Sequence, residues 1–400
     1  MHKAGRGGRR MSVLFTSAID FTSSSSLGIS SKVISQAKAA EEAGHDVLIS
    51  KDYGRETRIE RPGSGEVLAS YVWEGCSRKG KYAFLRNWIM VNRVEALVVR
   101  FDHLDAVFCS FSRAVRASGT IVAVEFPTFP FESERDARHK RLLDSKRYLS
   151  YIAHRAYAHI ENCRSKHAQL YFDYAITYLE DQTIWNVPNI TYDNGIDLAS
   201  IPLKNNREPD GVIRLIAVAK FAPHHGIDRL GRGMACYEGS RKVHLTLVGI
   251  GAESGALERL VREYGVGDMV TFAGIAVGKD LDKRFDDADI AIGSLGLHRI
   301  GIALGSTMKA REYCARGIPF VYSFPEKGFN GDERFALRLP NDDTPIDMDA
   351  IISFADEMAA DTEVRYRMRR FAEDHFDWKV QMGKVLTTLE SAAESRMDVE

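Results

Sequence analysis

Short apolar runs alternate along the chain with stretches whose apolar positions recur at helical spacing. Residues 12–17 (SVLFTS) form a compact β-leaning run. They lead into the small-residue stretch FTSSSSLGISS (21–31) and then into KVISQAKAAEEAGHDV (32–47), which has the period of a helix. The same alternation continues through VLIS (47–50), VLASYV (67–72), ALVVR (96–100) and TIVAVEF (120–126). Strand, loop, helix and strand in this order predict a parallel sheet with crossover helices. A long polar helical region follows over 135–170, then YAITYL (174–179) and the turn YDNGIDL (192–198). The polar stretch NNREPDG (205–211) reads as a linker.

Beyond it the alternation restarts: IRLIAVA (213–219), a helix over 226–238, VHLTLVGIG (243–251), a helix over 253–264, and VTFAG (270–274). A helix over 279–287, DIAIGS (289–294), a helix over 306–316 and IPFVYS (318–323) complete the second βα unit. Helices over about 347–374 precede the terminal FDWKVQMGKVLTTLE, an amphipathic helix with Phe376, Val380, Met382 and Leu386 as packing residues. A chain of 400 residues exceeds what one core holds. The expected division is residues 1–205, residues 206–375, and a C-terminal helix over 376–400.

The formal net charge of −1 hides an asymmetry, because residues 1–205 carry 28 basic and 23 acidic side chains and the remainder 26 and 32. A balance near zero argues against a dedicated nucleic-acid binder. The basic residues of the first half cluster at Arg78, Lys79, Lys81, Arg86 and Arg93, and again at Arg135, Arg138, Lys140, Arg141, Lys146 and Arg147. With Phe84, Trp88, Ile89 and Met90 interleaved, the first cluster is either a solvated helix face or a surface for an anionic bilayer. The five cysteines (Cys76, Cys109, Cys163, Cys236, Cys314) form no C-x-x-C pair and fit reduced thiols in a cytoplasmic protein. No uncharged apolar run is long enough to span a membrane, and the first residues lack the apolar stretch of a signal peptide.

Three strand-to-helix turns carry the small residues and helix N-terminus that bind phosphate. The first holds Ser26, Gly28 and Ser30. The second is AVAKFAPHHGIDRL, where Lys220 and His225 fall at the C-terminal edge of a strand, the place where open α/β sheets bind ligands. Lys220 is there either a diphosphate counter-charge or a solvent-facing lysine. The third is GSLGLHRIGIALGSTMKAREYCARGIPFV, whose helix carries Ser306, Thr307, Lys309 and Glu312. Glu312 offers two acceptor oxygens to a ribose diol, or is a surface residue. H-E-x-x-H, zinc-ligand spacings, Walker A, G-x-S-x-G and a G-x-G-x-x-G after the first strand are all missing, so no metal site is expected.

These motifs resemble glycosyltransferase family 4, the likeness covering nearly the whole chain. The Gly-containing first loop and helix ending in GHDV, the segment NGIDL, the stretch LVGIGAESGALERLVREYGVGDMVTFAG and the signature EYCARGIPFV carry it. The resemblance implies the GT-B fold: two Rossmann-like domains facing each other across a cleft, with the C-terminal helix crossing back to the N-terminal domain. It implies acceptor binding by the N-terminal domain and nucleotide-sugar binding by the C-terminal one. It further implies a retaining, metal-independent hexosyl- or related transferase with no cofactor, using a UDP-sugar or a GDP-sugar as donor. Carried over by position, Lys220, Lys309, Glu312 and Glu125 are the catalytic candidates. Gly28, Lys220, His225, Gly249, His298, Arg299, Ser306, Thr307, Met308, Lys309 and Glu312 are the donor-binding ones.

The chain departs from the family where a first glutamate would precede Glu312 by eight residues, because Leu304 stands there and the loop from Ser294 is longer. His298, Arg299 or Lys309 are the expected replacements. Glu125 stands where a histidine is common. The combination VEFPTFP, HHGIDRL and KAREYCARGIPF is similar to bacterial exopolysaccharide, capsule or O-antigen enzymes, which implies a glycan or polyprenyl-linked glycan acceptor and peripheral contact with the cytoplasmic face of the inner membrane. Two other readings stand beside it: a GT-B-fold nucleotide-sugar epimerase drawing on Glu125, Glu132 and Glu134, and a non-catalytic partner of another glycosyltransferase.

Overall fold

The computed structural model describes residues 9–397 apart from 24–25, 74–77, 128, 130 and 303, and the side chains of 27, 132–134, 137, 141 and 397 also lie outside the description. Cys76, Glu132 and Glu134, named above, therefore fall outside it. The chain divides into two compact units, residues 1–193 with 378–400, and residues 194–377. The segment 205–211 belongs to the second unit, where the backbone N–H of Asn205 donates to Asp286 at 2.7 Å and Arg207 pairs with Asp289 at 2.9 Å.

The first unit holds strands β1 (Ser12–Asp20), β2 (Asp46–Tyr53), β3 (Glu56–Glu60), β4 (Val67–Val72), β5 (Ala96–Arg100), β6 (Ile121–Glu125), β7 (Tyr174–Thr177), β8 (Thr183–Ile184) and β9 (Val187–Thr191). They form one sheet in the order β4-β3-β2-β1-β5-β6-β7-β9-β8. The middle is parallel, as the sequence pattern predicts. Both ends are antiparallel hairpins that the pattern does not reveal. At one end Gly54 and Arg55 join β2 to β3, with Gly54 at φ +62°. At the other, Trp185 and Asn186 turn β8 into β9, both at positive φ (51° and 61°). That is the backbone of a tight hairpin turn, made without the Asn-Gly pair that usually announces one. Trp185 tolerates it because its ring packs edge-on against Phe101, Phe126 and Phe131.

Side chains alternate across this sheet and build two cores. Leu14, Leu97, Val99 and Val122 face one layer with Phe108 and Phe111. Val13, Phe15, Ala96 and Val98 face the other, where the terminal helix Trp378–Met397 contributes Trp378, Met382, Leu386 and Leu389. Of the expected packing residues on that helix, Val380 is only half-buried, and Phe376 precedes the helix and closes the second unit's core. The helix Arg78–Val91 buries Lys81 and Ile89, so only part of the first basic cluster faces solvent.

The second unit holds β10 (Val212–Val218), β11 (Lys242–Val248), β12 (Val270–Gly274), β13 (Ile290–Ile292), β14 (Phe320–Tyr322) and β15 (Ala336–Arg338) in the order β12-β11-β10-β13-β14-β15. Every pairing is parallel. The connections wind outward in opposite directions from β10, so the strand order reverses between β10 and β13. Ligands of doubly wound sheets bind beyond the C-terminal ends of the strands at such a point. Among the described residues no helix is long and apolar enough to cross a membrane.

All four tryptophans (Trp73, Trp88, Trp185, Trp378) lie in the first unit, so tryptophan fluorescence reports on that unit alone. Leu389 is fully buried there. Leu389→Ala is expected to destabilise the fluorescence-detected transition in urea by about 2–5 kcal/mol.

Candidate functional site

The reversal point in the second unit is closed by two loops that touch through backbone. One runs from the end of β10 through the short turn Pro223–His225 to the helix Ile227–Cys236; the other runs from β13 to the helix Met308–Arg316. The backbone N–H of Leu295 donates to the carbonyl of His225 at 3.0 Å. Gly226 has φ +63°, and a Cβ there would lie 2.6 Å from the carbonyl carbon of Leu295, so the HHGID turn accepts only glycine. On the other side of β10, Gly249 has φ +121°, and a Cβ there would lie 2.0 Å from the carbonyl oxygen of Ala219. A Cβ on Gly251 would meet the backbone of Phe221 at 2.2 Å. Gly249 thus lets two turns meet at the sheet edge.

Arg229 braces this arrangement from beneath. Its guanidinium is fully buried and donates to the carbonyls of Leu295, Thr344 at 2.9 Å and Pro340 at 3.0 Å. Nothing in its spacing separates Arg229 from an ordinary helix residue, since its partners lie more than sixty residues away in sequence.

At the edge so formed sit Lys220, His224, His225 and Lys309. Lys220 is exposed just past β10 and makes no ion pair among the described residues. His225 accepts a hydrogen bond from the backbone N–H of Ala222 at Nδ1 (3.0 Å). Burial, reinforced by the neighbouring Lys309 ammonium, pushes its imidazole down to about 3. The ring is therefore neutral near pH 7, with the proton on Nε2, and His225 can offer a phosphate oxygen a hydrogen bond but no charge. His224 is pushed down by the same two causes.

Lys309, in the first turn of its helix, has its Nζ shielded from solvent and bonded to nothing among the described residues. Burial alone pushes the ammonium down to about 7. A buried amine without a counter-charge costs folding free energy and offers a ready partner for an anion.

The helix start itself is organised by a residue the sequence does not single out. Glu326, buried in the loop after β14, accepts hydrogen bonds from the Thr307 backbone N–H at 2.6 Å and the Thr307 hydroxyl at 2.8 Å, and pairs with the fully buried Arg311. Thr307 thus serves as the helix cap, its hydroxyl also accepting from the Ala310 N–H. Ser306 is tied to Asn194 of the NGIDL segment, whose Nδ2 donates to the Ser306 carbonyl at 2.7 Å. Met308 is exposed.

Glu312 stands one turn beyond Lys309 on the same helix face. Its Oε1 accepts from Arg316 Nε at 2.8 Å, and Arg316 also pairs with Asp282 at 2.8 Å. Its Oε2 makes no bond among the described residues.

His298 and Arg299, expected near the sugar, are committed elsewhere. Arg299 bonds Asp228 through two nitrogens (2.7 and 2.9 Å), and also Asp343 and the Pro223 carbonyl. His298 lies 3.3 Å from Asn341 and 3.2 Å from Asp343. Both tie the β13 loop to its neighbours. Leu304 is half-buried and fills no polar role.

In the first unit, Gly28 is exposed in the first turn of the helix Leu27–Glu42. Glu125 ends β6, where it is buried against Lys32 (2.8 Å), Arg100 (3.2 Å) and the Tyr192 hydroxyl. Burial raises its carboxyl, but the two cations outweigh that and hold it down at about 2. So paired, the carboxylate anchors the sheet edge. Among the described residues, no group of three or more His, Cys, Asp and Glu side chains is arranged to hold a metal ion.

Solved glycosyltransferase structures superpose on nearly the whole chain. A glycosyltransferase from Rickettsia africae ESF-5 matches with a TM-score of 0.63 at 12% identity, over 96% of this chain and 98% of that one. Anabaena Alr3699/HepE in complex with UDP matches with a TM-score of 0.60 at 12% identity, over 95% and 100%. AviGT4, a glycosyltransferase involved in avilamycin A biosynthesis, matches with a TM-score of 0.57 at 13% identity, over 96% and 98%. The fold is GT-B. No protein-family model matches the sequence, and no curated protein matches it. At 12% identity the likeness is one of fold, and the GT-B architecture assigns each unit one doubly wound sheet.

Two outcomes are expected from this geometry. Gly226→Ala forces both a strained φ and a backbone clash, and is expected to cost the second unit upwards of about 2 kcal/mol, read as a lower urea midpoint by circular dichroism. The Lys309 amine is depressed in the folded state, so between about 7 and its ordinary 10.5 the unfolded chain binds the extra proton. Its contribution to stability therefore rises with pH across that window and is flat below it. The difference in melting temperature between Lys309→Met and the unaltered protein, favouring the variant at pH 7, is expected to shrink as pH rises towards 10.

Proposed function

We infer that the protein is a glycosyltransferase that takes a sugar from a nucleoside-diphosphate donor held at the β10/β13 edge of the second unit. The observation that carries this reading is the buried Lys309 ammonium, unpartnered among the described residues, beside a helix N-terminus at the reversal point of the sheet. A diphosphate supplies the missing counter-charge, Lys220 and the helix N–H groups add to it, and His225 Nε2 donates a neutral hydrogen bond. Glu312 presents its open oxygen to the ribose. That Anabaena Alr3699/HepE of the same fold was crystallised with UDP, and with UDP-glucose, favours UDP as the nucleotide; a GDP-sugar is the second choice.

The reaction is a front-face displacement with retention. The bond from the anomeric carbon to the diphosphate oxygen breaks, the acceptor hydroxyl oxygen bonds the same face, and its proton passes to the leaving phosphate. Fixed cations carry the charge that a divalent ion carries in other transferases, so no metal takes part. The acceptor is a glycan or polyprenyl-linked glycan of a bacterial surface polysaccharide, bound by the first unit, and the enzyme works in the cytoplasm against the inner membrane. The epimerase reading loses its foremost carboxylate, since Glu125 is spent in an ion cluster.

A thermal-shift panel of UDP-, GDP- and dTDP-sugars tests the donor, because a ligand at 100 times its Kd stabilises the folded state by about 2.7 kcal/mol. UDP-sugars are expected to raise the melting temperature, Lys309→Met to weaken UDP binding at least about tenfold for a lost charge-assisted bond, and Glu312→Ala to abolish slow donor hydrolysis. Because the phosphate returns the lysine to its charged form, binding at pH 8 is expected to take up a proton, read by calorimetry in buffers of different ionisation enthalpy. Chelator is expected to leave turnover unchanged. Absence of any nucleotide binding by calorimetry would sink the reading.

A further inference from the structure

The two helices Glu132–Asp144 and Tyr148–Ser165 of the first unit enclose a cleft of about 530 Å³ that none of the chemistry above uses. Among the described residues it is lined by Arg135, Lys140, Arg155, His139 and His159, with Asp136 as the one carboxylate. Lys140 and Arg155 are exposed and form no ion pair among the described residues. His139 Nε2 and, on the ring 5.5 Å from it between centroids, His154 Nδ1 are buried and make no hydrogen bond among the described residues. Polar groups left open at this density mark a place built for a ligand with acceptor oxygens.

The same helix carries an apolar stripe beside the cationic one. Residues Tyr151, Arg155 and His159, four apart, face the cleft. Leu149 and Ile152, on the adjoining face, are 86% and 62% exposed, and Ile160 continues the row. Large aliphatic side chains held this far into water next to unpaired cations match one chemistry, an anionic head joined to a hydrocarbon.

We propose that this cleft seats the phosphate head of a membrane lipid, with Leu149 and Ile152 entering its hydrocarbon. Arg155 and Lys140 contact the phosphate oxygens, Arg through its fork and Lys as a point charge. The phosphate is that of a bulk anionic phospholipid. The proposal deepens the membrane contact of the transferase reading and rests on that reading only for what the bound lipid is used for.

The test is co-sedimentation of the full chain with phosphatidylcholine vesicles, with and without phosphatidylglycerol, and with inorganic pyrophosphate as competitor. Binding is expected only to the phosphatidylglycerol vesicles and to be reduced by pyrophosphate. The double variant Lys140→Gln/Arg155→Gln is expected to weaken it on the order of thirtyfold, from about 1 kcal/mol per cation near an anionic surface. Leu149→Ser/Ile152→Ser is expected to abolish vesicle binding while leaving pyrophosphate binding intact. Lys140→Arg/Arg155→Lys is expected to retain binding, and all four positions are exposed, so each variant is expected to melt as the unaltered protein does. Equal binding to neutral vesicles, undiminished binding by the glutamine variant, or pyrophosphate binding without vesicle binding would each overturn the proposal. UDP binding measured on the same variants stays unchanged, which separates failure here from failure of the transferase reading.

Discussion

An ammonium group removed from water, with no bond among the described residues, is the constraint around which the edge of the second unit's sheet is arranged. Lys309 could relieve that cost by turning outward, yet its helix is fixed at the start by the Thr307 cap, by Glu326 and by Arg311, and its loop is fixed by Asn194. Glu326 is close in chain position to none of these, and its carboxylate serves the helix start and Arg311. The carboxylate is thereby consumed in structure and does not reach the lysine. The proximity of two neutral imidazoles follows from the same imbalance, since protonating either would add a second uncompensated charge.

Glycine makes the edge geometrically attainable. Gly226 and Gly249 sit at positive φ with backbone atoms of a neighbouring loop where a Cβ would be, so the turns after β10, β11 and β13 approach within a side chain's breadth of one another. Arg229 then locks the third turn through three carbonyl oxygens, with the Asp342 carboxylate at 3.3 Å sharing its charge. The first unit solves a similar problem differently. At the end of β6 it buries Glu125 among Lys32, Arg100 and Tyr192, a paired cluster that holds the strand end.

Burial and pairing thus depart in both directions from what residue type alone suggests. Arg299 and His298 look free in a Gly-rich loop but are spent on Asp228, Asp343 and Asn341. Leu149 and Ile152 stand in water, while the helix Tyr148–Ser165 buries Ala158, Glu161 and Ser165.

The amino-acid sequence by itself determined the period of each element, the restart of the βα alternation in the second half, the parallel centre of both sheets and the small-residue turns between strand and helix. These are local properties: a run of β-branched residues or a glycine before a helix acts within a few positions. Tertiary structure alone decided the hairpins at the ends of the first sheet, where Trp185 holds a left-handed turn through packing with phenylalanines distant in sequence. It also decided which cations are neutralised. A charge is paired or left open by partners brought together from dozens of residues away, and no spacing rule along the chain records that meeting, so Lys309 and Arg299 read alike in sequence and differ only once folded.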